Sequence, residues 1–205
     1  MVTTRTATRS RILDAAWALV RRHGTNEVTV AEVADAAGVS RQLVYFHFEN
    51  RAGLLLAMAR HFDARSGVVR RIAATRTLPA AEGLEQLLRV WFAYIPEVLP
   101  VGRALEAAAA NGDEGGVAWH DRMADLREVF REALERVRLQ GRLADGWTVA
   151  TATDWVWARS HLATWQHLVG ERGWRPEDFV ERSVRSILAE VLVPAPGRRR
   201  HSPSG

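Results

Sequence analysis

Two residue types are missing altogether: the chain has no cysteine, and its 28 basic side chains are all arginine. Without cysteine there is no disulfide and no thiol nucleophile, although any compartment stays open. Without lysine, and without a Gly-rich loop ending in Lys-Ser/Thr, the usual cradle for nucleotide phosphates is excluded. Arg, Asp or His interrupts every apolar stretch, so no run approaches the roughly 18 residues of a membrane span. Residues 1–8 are small and polar rather than apolar, so nothing directs export and a cytoplasmic location is expected. Catalytic pairings are also wanting. His120 beside Asp121, and Ser160 beside His161, diverge as helical neighbours, and His161 and His167 point differently. The sequence therefore predicts no catalytic residue, no metal, no cofactor and no enzyme.

What is present is helical. With 205 residues, 47% hydrophobic and 25% charged, the chain has the composition of an ordered globular protein with room for a small and a larger domain. Ile12, Leu13, Ala16, Leu19 and Val20 give one apolar face, which Gly24 ends. Thr29 with Glu32 has capping-box spacing ahead of Val30, Val33, Ala34 and Ala37. Gly38 closes that helix, Ser40 caps the next, and Asn50 caps a fourth that continues or kinks into the arginine-rich 65–76. Leu84, Leu87, Leu88, Trp91 and Ile95 form a stripe predicted to end at Pro96 and Pro100. A short helix over Val101–Ala110 and a loop over 111–116 follow. Further helices are expected over about 117–140, 148–169 and 176–193, with Pro176 at a first helical position. The fold class predicted is all-α, a three-helix head followed by a larger helical bundle. The corresponding divisions are an N-terminal flexible arm over 1–8, a head over 9–60, a bundle over 61–193 and a disordered basic tail over 194–205.

The head reads as a helix-turn-helix. Ala34 and Ala37 allow close crossing, Gly38 supplies the turn, Val39 plugs the angle, and Leu43 and Val44 anchor the second helix. Ser40, Arg41, Gln42, Tyr45 and His47 are left for an outer face suited to the major groove of double-stranded DNA. Arg41 suits a guanine edge or a phosphate and Gln42 an adenine edge, while Tyr45 and His47 suit phosphates. Thr29 and Arg51 stand at helix N-termini, which favour anions. Residues 1–60 carry net +3, residues 61–192 net −2, and 193–205 net +3, so the basic excess sits in the head and the tail. The same geometry also occurs as plain bundle packing.

The residues themselves narrow that choice. Ile12, Leu13, Asp14, Ala15 and Ala16, then Gly24, then Thr29 through Ala34, then Gly38 through Phe48, and Asn50 through Leu54 stand in one ungapped register. Over about residues 9–60 this text resembles the TetR/AcrR family of transcriptional regulators. The resemblance implies backbone-contacting roles for Thr29, Tyr45, His47 and Arg51, with Arg41 and Gln42 at the start of the recognition helix. Three positions depart from the usual pattern. Gln42 is bulkier than the small residue often found there, Arg51 replaces a lysine, and Phe46 stands where a polar or basic residue is common. One helix-turn-helix offers few base contacts, so a homodimer on a palindromic operator is expected, and the resemblance implies a four-helix contact between the two subunits. A small-molecule effector is expected in the larger half, repression is the expected sign because a bound dimer occludes a promoter, and no membrane partner is expected.

The larger half carries seven of the eight tryptophans. Tryptophan's flat face and single donor suit an apolar or aromatic ligand between helices, and equally suit core packing. Trp91, Tyr94, Trp119, Met123, Phe130 and Trp155 are the candidate ligand-binding residues. Leu162, Trp165, Val169, Val184, Ile187, Leu188 and Val191 are the candidate dimer contacts, with intramolecular packing as the alternative for each. Two further readings stay open: a DNA-binding dimer with no effector, and a helical adaptor that does not touch DNA.

Overall fold

Apolar residues at three- and four-residue spacing build α1 (Val2–His23), whose Ile12, Leu13, Ala16 and Val20 are buried. It is helical from Val2, across the segment expected as a flexible arm. The computed structural model describes residues 2–23, 28–110, 112 and 114–194. The Gly24 stop and the tail beyond Pro194 lie outside the described residues.

The head then follows its local signals closely. Helix α2 (Val30–Ala37) opens in a complete capping box: the Glu32 N–H donates to Thr29 Oγ1 at 3.2 Å, and the Thr29 N–H donates to the Glu32 carboxylate at 2.8 Å. At its end Gly38 turns left-handed at φ +62°, and the Val39 N–H closes onto the Ala34 carbonyl at 2.9 Å. Ser40 caps α3 (Arg41–Phe48) by accepting from the Leu43 N–H at 3.2 Å. Asn50 caps α4 (Arg51–Ser66) by accepting from the Gly53 N–H at 2.8 Å. Gly67, at φ +76°, separates α4 from α5 (Val68–Thr75), so the chain kinks there rather than continuing. The expected domain boundary at residue 60 falls inside α4.

The larger half differs from expectation in three places. Helix α6 (Ala80–Ala110) runs unbroken through Pro96 and Pro100, where the sequence predicted an end. An interior proline costs about 3 kcal/mol through its missing donor and its clash with the preceding turn. Around the two prolines, however, Phe92, Tyr94, Ile95, Val98, Val101 and Leu105 are all buried. At roughly 1.5–3 kcal/mol for each large apolar side chain, that packing exceeds the cost of both prolines. Helix α7 (Glu114–Leu139) begins earlier than expected and takes in the last three residues of the predicted loop.

The third difference is a break. The helix expected over 148–169 is α8 (Val149–Arg159), then α9 (Leu162–Trp165), which runs on as a π-helical turn over Gln166–Glu171. At the break His161 is extended, with φ −69° and ψ 145°. The Ser160 carbonyl, released from the helix, accepts the Trp91 indole N–H at 2.8 Å in the interior. Helix α10 (Pro176–Val191) starts on its proline as expected.

Helices α1 to α4 pack together as the head, while α6 and α7 lie along each other and carry α8 and α10. Helix α4 belongs to both groups, packing on α1 and on α7. Among the described residues the only β pairing is an isolated bridge between Leu143 and Leu192. With it, the Val193 N–H donates to the Arg142 carbonyl and the Ala144 N–H to the Val191 carbonyl, each at 2.9 Å. These bonds staple the end of α10 to the turn after α7.

Candidate nucleic-acid interface and effector cavity

Helix α3 is held from below. Val44 and Phe48 are buried, Leu43 is half-buried, and α2 braces them with Val30, Val33, Ala34 and Ala37. The helical repeat then leaves Arg41, Gln42 and Tyr45 exposed on one outer face, with Ser40 at its start. Tyr45 is 51% exposed and Phe46 64%, a large apolar area to leave in water on so short a helix.

His47 is half-buried at the end of the same helix. Its imidazole is held below the ordinary range by burial first, and then by the charges of Arg5 and Arg9. Those two arginines were not singled out from the sequence. Arg5 lies over the Phe46 ring and Arg9 over Phe48, each with its guanidinium carbon 5.0 Å from the ring centroid. Their four-residue spacing was the available signal, because it puts both on one face once residues 2–8 are helical.

The remaining expected contacts lie at helix starts. The Thr29 hydroxyl is exposed but engaged, donating to the Glu32 carboxylate at 2.8 Å while accepting from the Glu32 N–H. Arg51 is half-buried in the first turn of α4, and its Nε donates to the Val28 carbonyl at 3.1 Å, tying α4 to the entrance of α2. Beyond α3 the chain reverses sharply. Glu49 sits at φ +59°, and the Asn50 N–H reaches back to the Phe48 carbonyl at 2.6 Å, a tight turn of the rare hand.

A cavity of about 230 Å³ opens between α4, α5, α6 and α7. Its apolar wall includes Val68, Val69, Ile72, Leu126 and Val129, and Trp91 and Tyr94 bring aromatic faces. Its polar wall is a crossed pair of ion pairs. Arg122 of α7 grips Asp63 of α4 through two bonds, Nε to Oδ2 at 3.0 Å and Nη2 to Oδ1 at 2.8 Å. Arg60 of α4 meets Asp125 of α7 at 3.3 Å. Each helix thus carries Arg-x-x-Asp, and the two helices pass in opposite senses so that each arginine finds the other's aspartate. Neither motif was noticed in the sequence, although their identical spacing on two helices was visible there.

Burial separates the two pairs. The Asp63 and Arg122 side chains are 17% and 6% exposed, whereas Arg60 and Asp125 are 55% and 64% exposed. The Tyr94 hydroxyl donates to Asp63 at 2.6 Å. Burial above all, with the Asp63 charge, pushes this phenol far above its ordinary value, so it stays a donor. Helix α4 is also tied to the head, since Asp14 of α1 pairs with His61, at 3.1 Å, and with Arg65.

Of the six expected ligand-binding residues, the structure brings two, Trp91 and Tyr94, to this cavity. Trp119 lies behind it, its ring centroid 5.7 Å from the Arg122 guanidinium carbon. Met123 is buried, its carbonyl accepting the Trp157 indole N–H at 3.1 Å, and Phe130 is fully buried in the core. Trp155 stands apart on the surface, 36% exposed and 6.1 Å from Trp147. Of the expected dimer contacts, Leu162, Val184, Ile187 and Val191 are buried within the protomer, while Trp165, Val169 and Leu188 are partly exposed. Among the described residues, no group of His, Asp and Glu is placed to hold a metal ion.

A braced short helix with a polar outer face, set on a larger helical body, is the architecture of a helix-turn-helix transcriptional regulator. Residues 12–58 match the family model for bacterial regulatory proteins of the tetR family. The chain is 25% identical to the transcriptional repressor BepR of Brucella suis biovar 1, across 92% of this chain and 93% of that protein. Solved structures share its fold, and two serve as examples. A transcriptional regulator from Saccharomonospora viridis, in complex with choline, matches with TM-score 0.72 and 19% identity over 92% of this chain and 100% of that one. NalD of Pseudomonas aeruginosa, the secondary repressor of the MexAB-OprM multidrug efflux pump, matches with TM-score 0.64 and 21% identity over 92% and 98%. Residues 12–58 thus carry a DNA-binding unit of the tetR-family type, and the rest of the chain shares the fold of the two structures.

Proposed function

We propose that this protein is a homodimeric repressor that leaves a palindromic operator when a small apolar or aromatic molecule enters the cavity. The observation that carries the reading is the double membership of α4. Its first turn abuts the recognition helix α3, and its far end supplies Arg60 and Asp63 to the cavity wall. A ligand that changes how α4 sits on α7 therefore changes where the heads stand. It does so only to the extent that it binds the two arrangements unequally.

In this reading Arg41 and Gln42 meet base edges, and Thr29, Ser40, Tyr45, His47 and Arg51 fix the backbone, with Arg5 and Arg9 adding positive charge beside them. One α3 offers few base contacts, so two heads on a palindrome supply the specificity. Trp155, Trp165, Val169 and Leu188, partly exposed on α8 to α10, are the surface we assign to the second copy. Repression is the action named for BepR. No helix among the described residues is long and apolar enough to cross a membrane, and a cytoplasmic location suits a protein that works on DNA.

A second reading is a dimeric regulator without an effector. The cavity volume favours it, since about 230 Å³ lies below the roughly 300–1,000 Å³ of typical ligand sites. Selection of bound duplexes from a random library at fixed salt tests the DNA reading. Enrichment of one palindrome is expected, and retention without a shared site would refute it.

A further inference from the structure

We infer that the cavity takes an amphipathic organic acid, with its carboxylate received by Arg122 and its apolar body laid against Ile72, Leu126 and Val129. The inference rests on the effector reading above and names the chemistry of that effector.

The sign of the ligand's charge follows from which polar groups of the wall are already satisfied. Asp63 is well supplied with donors: Oδ1 accepts from Tyr94 at 2.6 Å and from Arg122 Nη2 at 2.8 Å, and Oδ2 accepts from Arg122 Nε at 3.0 Å. Arg122 is not, because its Nη1 is buried and has no hydrogen-bond partner. Three rings surround the guanidinium carbon, those of Trp91, Trp119 and Tyr94, at 5.6, 5.7 and 5.9 Å. Their faces offset part of the cost of desolvating the charge. They bring no lone pair for its remaining N–H groups, and a buried donor left over on a charged group is a standing demand for an acceptor.

The outer part of the cavity agrees. Arg60, 55% exposed, is held by a single contact to Asp125 at 3.3 Å and can turn toward an incoming anion. A cationic ligand would meet an Asp63 whose charge is already paired with Arg122 inside, and only Asp125 at the rim, itself 64% exposed to water. An acid therefore gains charge-assisted bonds at both ends of the polar wall, and a cation competes for one solvated carboxylate. An acid that draws Arg122 toward itself also weakens the deepest link between α4 and α7.

Calorimetry on the full-length protein without DNA, at physiological salt, tests this with 2-naphthoate and 2-naphthylmethylammonium. The two probes have similar bodies and opposite charge. Naphthoate is expected to bind at least about tenfold more tightly. Arg122→Lys keeps a charge for Asp63 but loses the planar fork, and should reduce that preference by about tenfold. Ile72→Trp fills the cavity while leaving the Arg122 residue itself in place and should abolish naphthoate binding, which keeps the test decisive if the lysine variant does not fold. Equal or tighter binding of the ammonium probe, no detectable binding of naphthoate, or unchanged binding in Ile72→Trp would overturn the inference. Operator binding measured on the same preparation separates the two claims, because loss of acid preference with an intact operator complex refutes only the ligand class.

Discussion

The Asp63–Arg122 pair can be tested as a unit by a double-mutant cycle. Both side chains are largely withdrawn from water, at 17% and 6% exposure, so removing one partner strands the other. Such a break typically costs about 3–5 kcal/mol, most of it the desolvation of the group left behind. Arg122→Met leaves a buried carboxylate with only the Tyr94 hydroxyl for company, and Asp63→Asn leaves a guanidinium among three aromatic rings with a neutral acceptor. We expect each single change to cost about 3 kcal/mol. In a chain of this size that corresponds to a melting temperature lower by roughly 6–12 °C.

The double variant should be far less harmful than the sum. Met packs against Trp91, Tyr94 and Trp119, while the amide of residue 63 can still accept from Tyr94, so no buried charge remains. A coupling of at least about 2 kcal/mol follows. Urea unfolding followed by circular dichroism reads all four corners, at one protein concentration because association shifts apparent stability. Additivity within about 0.5 kcal/mol would show that the two groups do not depend on each other, and the account of the cavity wall would be wrong.

Four further predictions concern the head. Gln42→Ala should change which operator sequence is preferred, whereas Tyr45→Phe, which removes a backbone contact, should weaken all sequences alike; binding measured on operator variants separates them. Since burial and Arg5 and Arg9 hold the free His47 below the usual imidazole range, and a phosphate would favour its protonated form, DNA binding should take up a proton. Affinity should then rise as pH falls through and below the ordinary value of about 6.5, and His47→Gln should flatten that dependence. At the turn after α3, a Cβ on residue 53 would stand 2.5 Å from the Phe48 carbonyl oxygen, so Gly53→Ala should cost about 1–3 kcal/mol in urea unfolding. Relief of the positive φ at Glu49 should make Glu49→Gly neutral or stabilising by up to about 1 kcal/mol.

What could be read in the sequence was local. The capping box at Thr29 and Glu32, the left-handed turn at Gly38, the Ser40 and Asn50 caps and the proline opening α10 each involve residues within a few positions of one another, and each formed as expected. The features that escaped were settled across the chain. Pro96 and Pro100 read as helix ends until the burial of Phe92, Ile95 and Val98 on α6 is known to outweigh them. The break at Ser160 depends on an indole 69 positions earlier, whose N–H gives the released carbonyl a buried partner. The same reason hid the polar wall of the cavity. Arg60, Asp63, Arg122 and Asp125 look like ordinary surface charges along their own helices, and only the opposed passage of α4 and α7 turns two Arg-x-x-Asp segments into one crossed network. Tryptophans drew attention to the larger half, yet most of them serve packing there, because an aromatic side chain announces burial and not what it is buried against. The chemistry of the proposed site lies instead in a single arginine nitrogen left without a partner, a property that exists only after the helices have met.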